Sequence, residues 1–292
     1  MSSNGAHNIG IGLIAVVCAV FLGSVADAAA KWFGTQGYLS TQVVFLRYVF
    51  GLLPVAFFVY RSGFGALQTK RYGAHFVRAC LGFGSIGLFF WGITLMPLAE
   101  ATAIAFTAPL FTTALSVPVL KERVGPRRWA AVGVGFLGAL VVVRPGTEAF
   151  RPEAIIIIAS AFIYALSLIL TRRMAASETN VAMFTYTTIV AGFISAPFLV
   201  LGWVTPSLPH WLAYSGFGIV EGSCSFLLII AYRHAPAAVA APFDYTALIW
   251  ATLFGWILWN EDVDPMVWAG ALIIAFAGIY IARREAAQTT EP

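Results

Sequence analysis

The sequence predicts an all-α membrane protein: ten transmembrane helices in two five-helix halves of opposite orientation. Three observations carry this expectation: an apolar composition, basic loops that alternate between two sides, and an internal repeat. Hydrophobic residues make up 60% of the 292-residue chain and charged residues 10%, against about 45–50% and 25% in soluble domains. So few charges cannot solvate the outside of a globular protein, so the bilayer must serve as solvent. The net charge of +4 does not point to nucleic acid, because the basic residues form short clusters between apolar runs. Cys18, Cys80 and Cys224 all fall inside apolar runs and read as packing residues, with no metal site.

A helical span needs roughly 20 mainly apolar residues. Such runs occur at 9–30, 40–60, 74–95, 98–118, 128–144, 153–171, 181–202, 211–231, 237–258 and 265–282. The first lacks a basic flank and exceeds a signal-peptide core of about 7–15 residues, so it reads as a retained span. The connections carry turn signals: Ser62-Gly63, Met96-Pro97, Gly125-Pro126, Pro145-Gly146, Pro206 with Pro209, Pro236 and Asp264-Pro265. The segment 285–292 reads as a disordered cytoplasmic tail.

Lys and Arg in alternate loops set the orientation. One side collects thirteen: Arg61, Lys70, Arg71, Arg78, Lys121, Arg123, Arg127, Arg128, Arg172, Arg173, Arg233, Arg283 and Arg284. The other holds Lys31, Arg144 and Arg151, and Arg47 falls within a span. Both termini are therefore expected in the cytoplasm, with an even number of crossings of the cell inner membrane.

Shifting the chain by 139 residues lays Met96–Ala139 on Ala235–Gly278 without a gap. Pro97 falls on Pro236, Phe106 on Tyr245, Glu122 on Glu261, Pro126 on Pro265 and Trp129 on Trp268. Matches at Glu, Pro and Trp do not arise from apolar composition alone. The shift carries the fourth and fifth spans onto the ninth and tenth, giving units 1–146 and 147–284. Five spans per unit is odd, so the second unit enters from the opposite side. Inverted repeats are characteristic of secondary transporters.

Ten spans in two inverted fives, with a Glu-x-Val-x-Pro-x-x-Trp stretch at Glu122–Trp129 and Glu261–Trp268, resemble the EamA branch of the drug/metabolite transporter superfamily. Within it the chain is most similar to bacterial aromatic amino-acid exporters of the YddG type. The resemblance implies a central cavity, export of amino acids or related metabolites, and no cofactor, ATPase subunit or catalytic residue. Multidrug or nucleobase efflux by the same fold is the alternative. An intramembrane enzyme is disfavoured, since His7, His75, His210 and His234 sit near span ends without a His-Glu-x-x-His arrangement.

Ionisable residues within spans are functional candidates by default. Asp27 and Glu100 lie near external span ends, where interfacial or helix-start roles suffice. Arg47, roughly 10 Å in from the external surface, and Glu221, near the midplane, read as a structural ion pair or as substrate contacts. Arg47 and Asp244, the latter beside Pro242, are gating or coupling candidates, as are Pro109 and Pro242, which can serve as hinges. Ser24, Ser85, Phe106, Thr107, Tyr164, Tyr186, Ser225 and Tyr245 are expected near the midplane. Hydroxyls and rings there would suit a small zwitterion, although Ser and Thr also join helices. Trp32, Trp203, Trp211, Trp259 and Trp268 read as interface anchors.

Overall fold

The computed structural model describes residues 9–121, 124–175, 177–234 and 237–289. Glu122, Arg123, Ala235 and Pro236, which enter the charge count or the repeat, lie outside the described residues, as do 1–8 and 290–292. Among the described residues the regular elements are helices: α1 (Ile9–Thr35), α2 (Ser40–Ser62), α3 (Tyr72–Leu95), α4 (Leu98–Ala105), α5 (Ala108–Leu120), α6 (Pro126–Val143), α7 (Ala154–Met174), α8 (Asn180–Ser195), α9 (Leu208–His234), α10 (Ala237–Asp244), α11 (Ala247–Trp259) and α12 (Pro265–Thr289). Short 3₁₀ turns follow α2 at Phe64–Leu67 and α8 at Ala196–Leu201. Among the described residues, eight stretches are long and apolar enough to cross a membrane, α4 and α5 counting as one. Large apolar side chains such as Phe57, Phe193 and Phe276 stand exposed on the outside, as expected where lipid is the solvent. α12 continues to Thr289, so the start of the segment expected as a disordered tail is helical.

The 139-residue shift reappears in the backbone. α4 and α5 map residue for residue onto α10 and α11, and both pairs are interrupted, at Phe106-Thr107 and at Tyr245-Thr246. Each break is closed in the same way. Thr107 Oγ1 donates to Ile104 O at 2.8 Å, and Thr246 Oγ1 donates to Phe243 O at 2.7 Å, each hydroxyl adding a second donor to a carbonyl that already accepts the same threonine's amide at 3.0 Å in a tightened turn. α5 ends at Lys121 and α11 at Asn260, both left-handed with φ 57° and 53°, and these positions are also 139 apart.

Packing relates the two halves. α6 lies against α12 and α2 against α8; α1 pairs with α9 as α3 pairs with α7; α2 meets α9 as α3 meets α8. Renaming every span of one half as its equivalent in the other leaves this set unchanged. Direction follows from the residues in contact. A Cβ at Gly138 would meet Gly270 O at 2.9 Å, and one at Gly135 would meet Ala277 Cβ at 3.2 Å. Advancing on α6 therefore means retreating on α12, so these helices run antiparallel at backbone contact. Glycine is required there, since any side chain at Gly138 would drive the helices apart.

Candidate functional site

One end of the bundle is sealed. Phe33 and Tyr214 stack at 3.8 Å with both side chains fully buried, and the Tyr38 hydroxyl meets His210 Nδ1 at 2.7 Å. Gln42 donates to Val204 O at 2.6 Å and accepts from Val204 N at 3.0 Å. Lys31 reaches from α1 to the Glu261 carboxylate and to Met96 O (2.8 Å), while Glu261 Oε2 accepts the first amide of α4, Leu98 N, at 2.8 Å. A carboxylate at a helix N-terminus is favourable twice, by hydrogen bond and by helix dipole. This one residue thus links α1, α4 and the end of α11.

Towards the other end a cavity of about 380 Å³ opens between α2, α3, α7, α8 and α9. Its wall is formed by Arg47, Tyr48, Gly51 and Pro54 of α2, Arg78, Gly82 and Ile86 of α3, and Tyr164 and Ser167 of α7. Phe184, Thr187 and Thr188 of α8 and Glu221, Gly222, Ser225 and Leu228 of α9 complete it. The volume lies in the range of small-molecule sites. α2 and α9 come together because Gly218 and Gly222 leave no side chain opposite Phe50 and Pro54; a Cβ there would fall 2.4 and 2.6 Å from those residues. That approach places Arg47 Nη2 2.9 Å from Glu221 Oε2. Arg47 Nε and the Tyr48 hydroxyl are buried with no hydrogen-bond partner among the described residues. Arg78 donates from Nε to Thr171 Oγ1 (2.7 Å) and from Nη1 to Met183 O (2.9 Å) and Thr187 Oγ1. Its partners are neutral, so its positive charge is not cancelled by them.

Of the residues singled out in the sequence, Arg47, Tyr164, Glu221 and Ser225 stand on the cavity wall. Ser85 and Ser160 exchange hydrogen bonds to each other's carbonyls at 3.2 and 2.8 Å, tying α3 to α7. Ser24 is buried on α1. Phe106 and Tyr245, with ring centres 4.7 Å apart, touch at the two helix breaks, where Thr107 also sits. Asp244 ends α10, Pro242 lies inside that helix, and Pro109 is in the first turn of α5. Tyr186 is not midway along its path: its hydroxyl donates to Leu67 O at 3.0 Å and its ring lies 4.6 Å from His75, near the helix ends. Glu100 pairs with Arg151 at 3.4 Å. Asp27 does not pair with Lys31 but lies within electrostatic range of Arg47 and Glu221. Arg78, counted above as a loop cation, belongs to α3 and to the cavity. It was recognisable as a cation four residues inside an apolar run. Tyr48, Phe184, Thr187 and Thr188 carry no sequence signal that separates them from packing residues.

Residues 10–144 and 151–284 each match the EamA-like transporter family. The chain belongs to that family. It is 31% identical over 258 residues to the S-adenosylmethionine uptake transporter of Rickettsia prowazekii, covering 88% of this chain and 87% of that one. It is 26% identical to the riboflavin transporter of Vibrio cholerae, over 94% and 92% of the two chains. It is also 26% identical to a pseudopaline exporter of Pseudomonas aeruginosa, over 93% and 96%. One crystal structure, 20% identical, superposes with a TM-score of 0.64 over 96% of this chain and 99% of its own, which speaks to the fold. The EamA-type chain is a multi-pass membrane transporter of the drug/metabolite transporter superfamily and not an enzyme.

Proposed function

We propose that this chain is a secondary carrier, working by alternating access, for metabolites built on an α-amino carboxylate. These are amino acids, aromatic and other neutral ones included, and larger conjugates such as S-adenosylmethionine. The observation that carries the reading is the Arg47–Glu221 pair on the cavity wall, with Arg47 Nε and the Tyr48 hydroxyl buried and unpartnered. Buried polar atoms are ordinarily satisfied, and a zwitterion would satisfy these. Its carboxylate suits Arg47 and Arg78, its ammonium Glu221, and a flat ring the faces of Tyr48, Tyr164 and Phe184. The 31% identity to an S-adenosylmethionine transporter agrees with that chemistry.

The architecture we propose is ten crossings in two inverted fives, with α9 and the α10–α11 pair completing the count. It is supported by the interrupted helices 139 residues apart, the exchange-invariant packing and the antiparallel contact of α6 with α12. The basic loops support a reading with both termini in the cytoplasm and the chain in the inner membrane, in which the sealed end is external. A secondary carrier moves cargo down its own gradient or against it by coupling to a proton, for which Glu221 and Asp244 are the titrating candidates. Export of amino acids, the direction that the resemblance to exporters implies, and uptake of a conjugate would be one carrier on different gradients.

Counterflow in proteoliposomes tests this, with labelled phenylalanine, S-adenosylmethionine, riboflavin and a cationic dye. An amino-carboxylate cargo is expected to exchange, and Arg47→Gln to slow that exchange by more than about tenfold. Exchange of riboflavin or dye in place of both amino carboxylates would overturn the reading.

A further inference from the structure

Lys31 and Arg47 each hold a carboxylate, Glu261 and Glu221. Arg78 holds none. It lies in the membrane-spanning part of α3, roughly 9 Å in from the first residue of the helix. Among the described residues no carboxylate stands within ion-pair distance of it. Nor does it reach out to an interface, as span-end cations commonly do. Its Nε proton goes to Thr171 Oγ1, and its two Nη1 protons go to Met183 O and Thr187 Oγ1. These bonds pin the guanidinium between α3, α7 and α8. They leave Nη2 without a partner among the described residues, on a side chain that lines the cavity. One turn along α3 is Gly82, on the same wall. Its missing side chain is not required by packing, unlike those of Gly218 and Gly222. A Cβ there would come no closer than 3.7 Å to Thr187 Cγ2 and 3.9 Å to the Tyr48 hydroxyl. Bare backbone therefore floors a slot rimmed by Arg78, by the Thr187 that holds it, and by the buried, unpartnered Tyr48 hydroxyl.

We infer that this slot is the anion subsite of the carrier, taking a carboxylate of the cargo, and that Arg78 selects cargo bearing one. The inference rests on the amino-carboxylate reading above and divides the work of its two guanidiniums. The charge of Arg47 is met by Glu221, so Arg47 holds Glu221 in place and offers cargo a hydrogen-bond donor, Nε. Arg78 offers positive charge that no side chain has claimed. A planar carboxylate has two acceptor oxygens, and the slot offers two kinds of donor, Arg78 Nη2 and the Tyr48 hydroxyl. A cation held inside a span without an anion is costly, and a bound carboxylate removes that cost. An amine with the same ring but no carboxylate leaves it in place.

Three ligands that share one ring give the test: phenylalanine, phenethylamine, which lacks the carboxylate, and 3-phenylpropionate, which lacks the ammonium. Each competes in counterflow by the full-length chain against whichever of labelled phenylalanine or S-adenosylmethionine exchanges. In wild type, phenethylamine is expected to compete at least about tenfold more weakly than phenylalanine, and 3-phenylpropionate to compete measurably. Arg78→Gln should bring phenethylamine and phenylalanine within about threefold of each other and abolish competition by 3-phenylpropionate. Arg78→Lys, which keeps the charge but not the fork, should recover part of both. Arg47→Gln slows exchange but keeps the preference for phenylalanine over phenethylamine. Arg78 also ties α3 to α7 and α8, so Gly82→Ala is a second variant that leaves those bonds intact. Its methyl fills the slot at ordinary contact distance, and alanine suits a helix better than glycine. Its melting temperature should not fall, while the preference collapses as in Arg78→Gln. No preference in wild type, a preference that survives in folded Arg78→Gln or Gly82→Ala, or its loss in Arg47→Gln overturns the subsite. The amino-carboxylate reading then still stands on exchange of an amino carboxylate. Exchange of no amino carboxylate by wild type overturns both.

Discussion

At the scale of single residues, function and stability use the same device, a carboxylate held by a cation or a donor inside the helix bundle. Glu178, in the connection between α7 and α8, shows its stability side. His75 Nε2 donates to Glu178 Oε2 at 3.1 Å with both side chains buried. Burial works to raise the Glu178 carboxyl, but hydrogen bonds from His75 and Thr69, with the charge of Arg71, hold it below the usual carboxylate value. A carboxyl depressed in the folded state stabilises the fold above its unfolded value and loses that contribution as pH falls through the folded value. Glu178→Gln should therefore lower the melting temperature at pH 7, and the gap to wild type should close as pH falls below about 4.5. Thermal melts across pH 3.5–7.5 (about that range suffices) would show a pH-independent gap if Glu178 acted by shape alone. What the letters reveal about such sites is uneven. Arg47 and Glu221 were legible because charge in an apolar run is rare. Ser85 was not, since a serine that glues two helices and one that lines a cavity are the same letter in the same kind of run. Arg78 was recognisable as a cation inside an apolar run, but the loop count grouped it with the basic residues of the preceding connection because it lies within two turns of the span end.

At the scale of elements, the repeat was legible and its consequences were not. A match of Phe106 to Tyr245 and Pro126 to Pro265 could be read by shifting the chain. The breaks at Phe106-Thr107 and Tyr245-Thr246 could not, because the hydroxyl bonds that stabilise them look like ordinary helical threonines in sequence. Helix ends were displaced for a similar reason: α1 continues to Thr35 and α12 to Thr289, past the apolar runs that defined the spans. The α6–α12 seam is where element packing can be tested most sharply. Gly138→Leu would force a side chain against Gly270 O and Ile273, whereas Gly133, on the same helix, has nothing within 4 Å of an added Cβ. Overpacking costs about 1–3 kcal/mol, so Gly138→Leu should reduce the melting temperature in detergent while Gly133→Leu leaves it within a degree or so (roughly). Equal melts for the two variants would mean that the seam is not a close backbone contact in solution.

At the scale of the whole molecule, the sealed end and the cavity are two faces of one asymmetry. The two halves are built alike, yet one end is closed by Phe33, Tyr38 and Tyr214 and by the Lys31–Glu261 latch, while the cavity is displaced towards the other. A carrier with two near-equivalent halves has two near-equivalent states, and what selects one is a small set of differential contacts. At the closed end Glu261 makes three contacts, to Lys31, to Leu98 N and, through its position against Gly255, to the end of α11, and under the alternating-access proposal it is the first candidate for such a contact. Glu261→Gln keeps the shape and one acceptor but removes the charge that holds Lys31. Losing one or two kcal/mol from one state shifts its population by a factor on the order of ten. The readout is a single cysteine at Phe217, a side chain 3% exposed within the sealed layer, in a background without Cys18, Cys80 and Cys224. A membrane-impermeant maleimide added on the side of the sealed end should label Phe217→Cys about tenfold faster when Glu261→Gln is present. Cargo half-saturation measured from the cavity side should rise in the same variant, because the state that presents the cavity to that side is less populated. If labelling is unchanged while the protein remains folded, Glu261 is a local cap on α4 and the closed end is held by its aromatic layer alone.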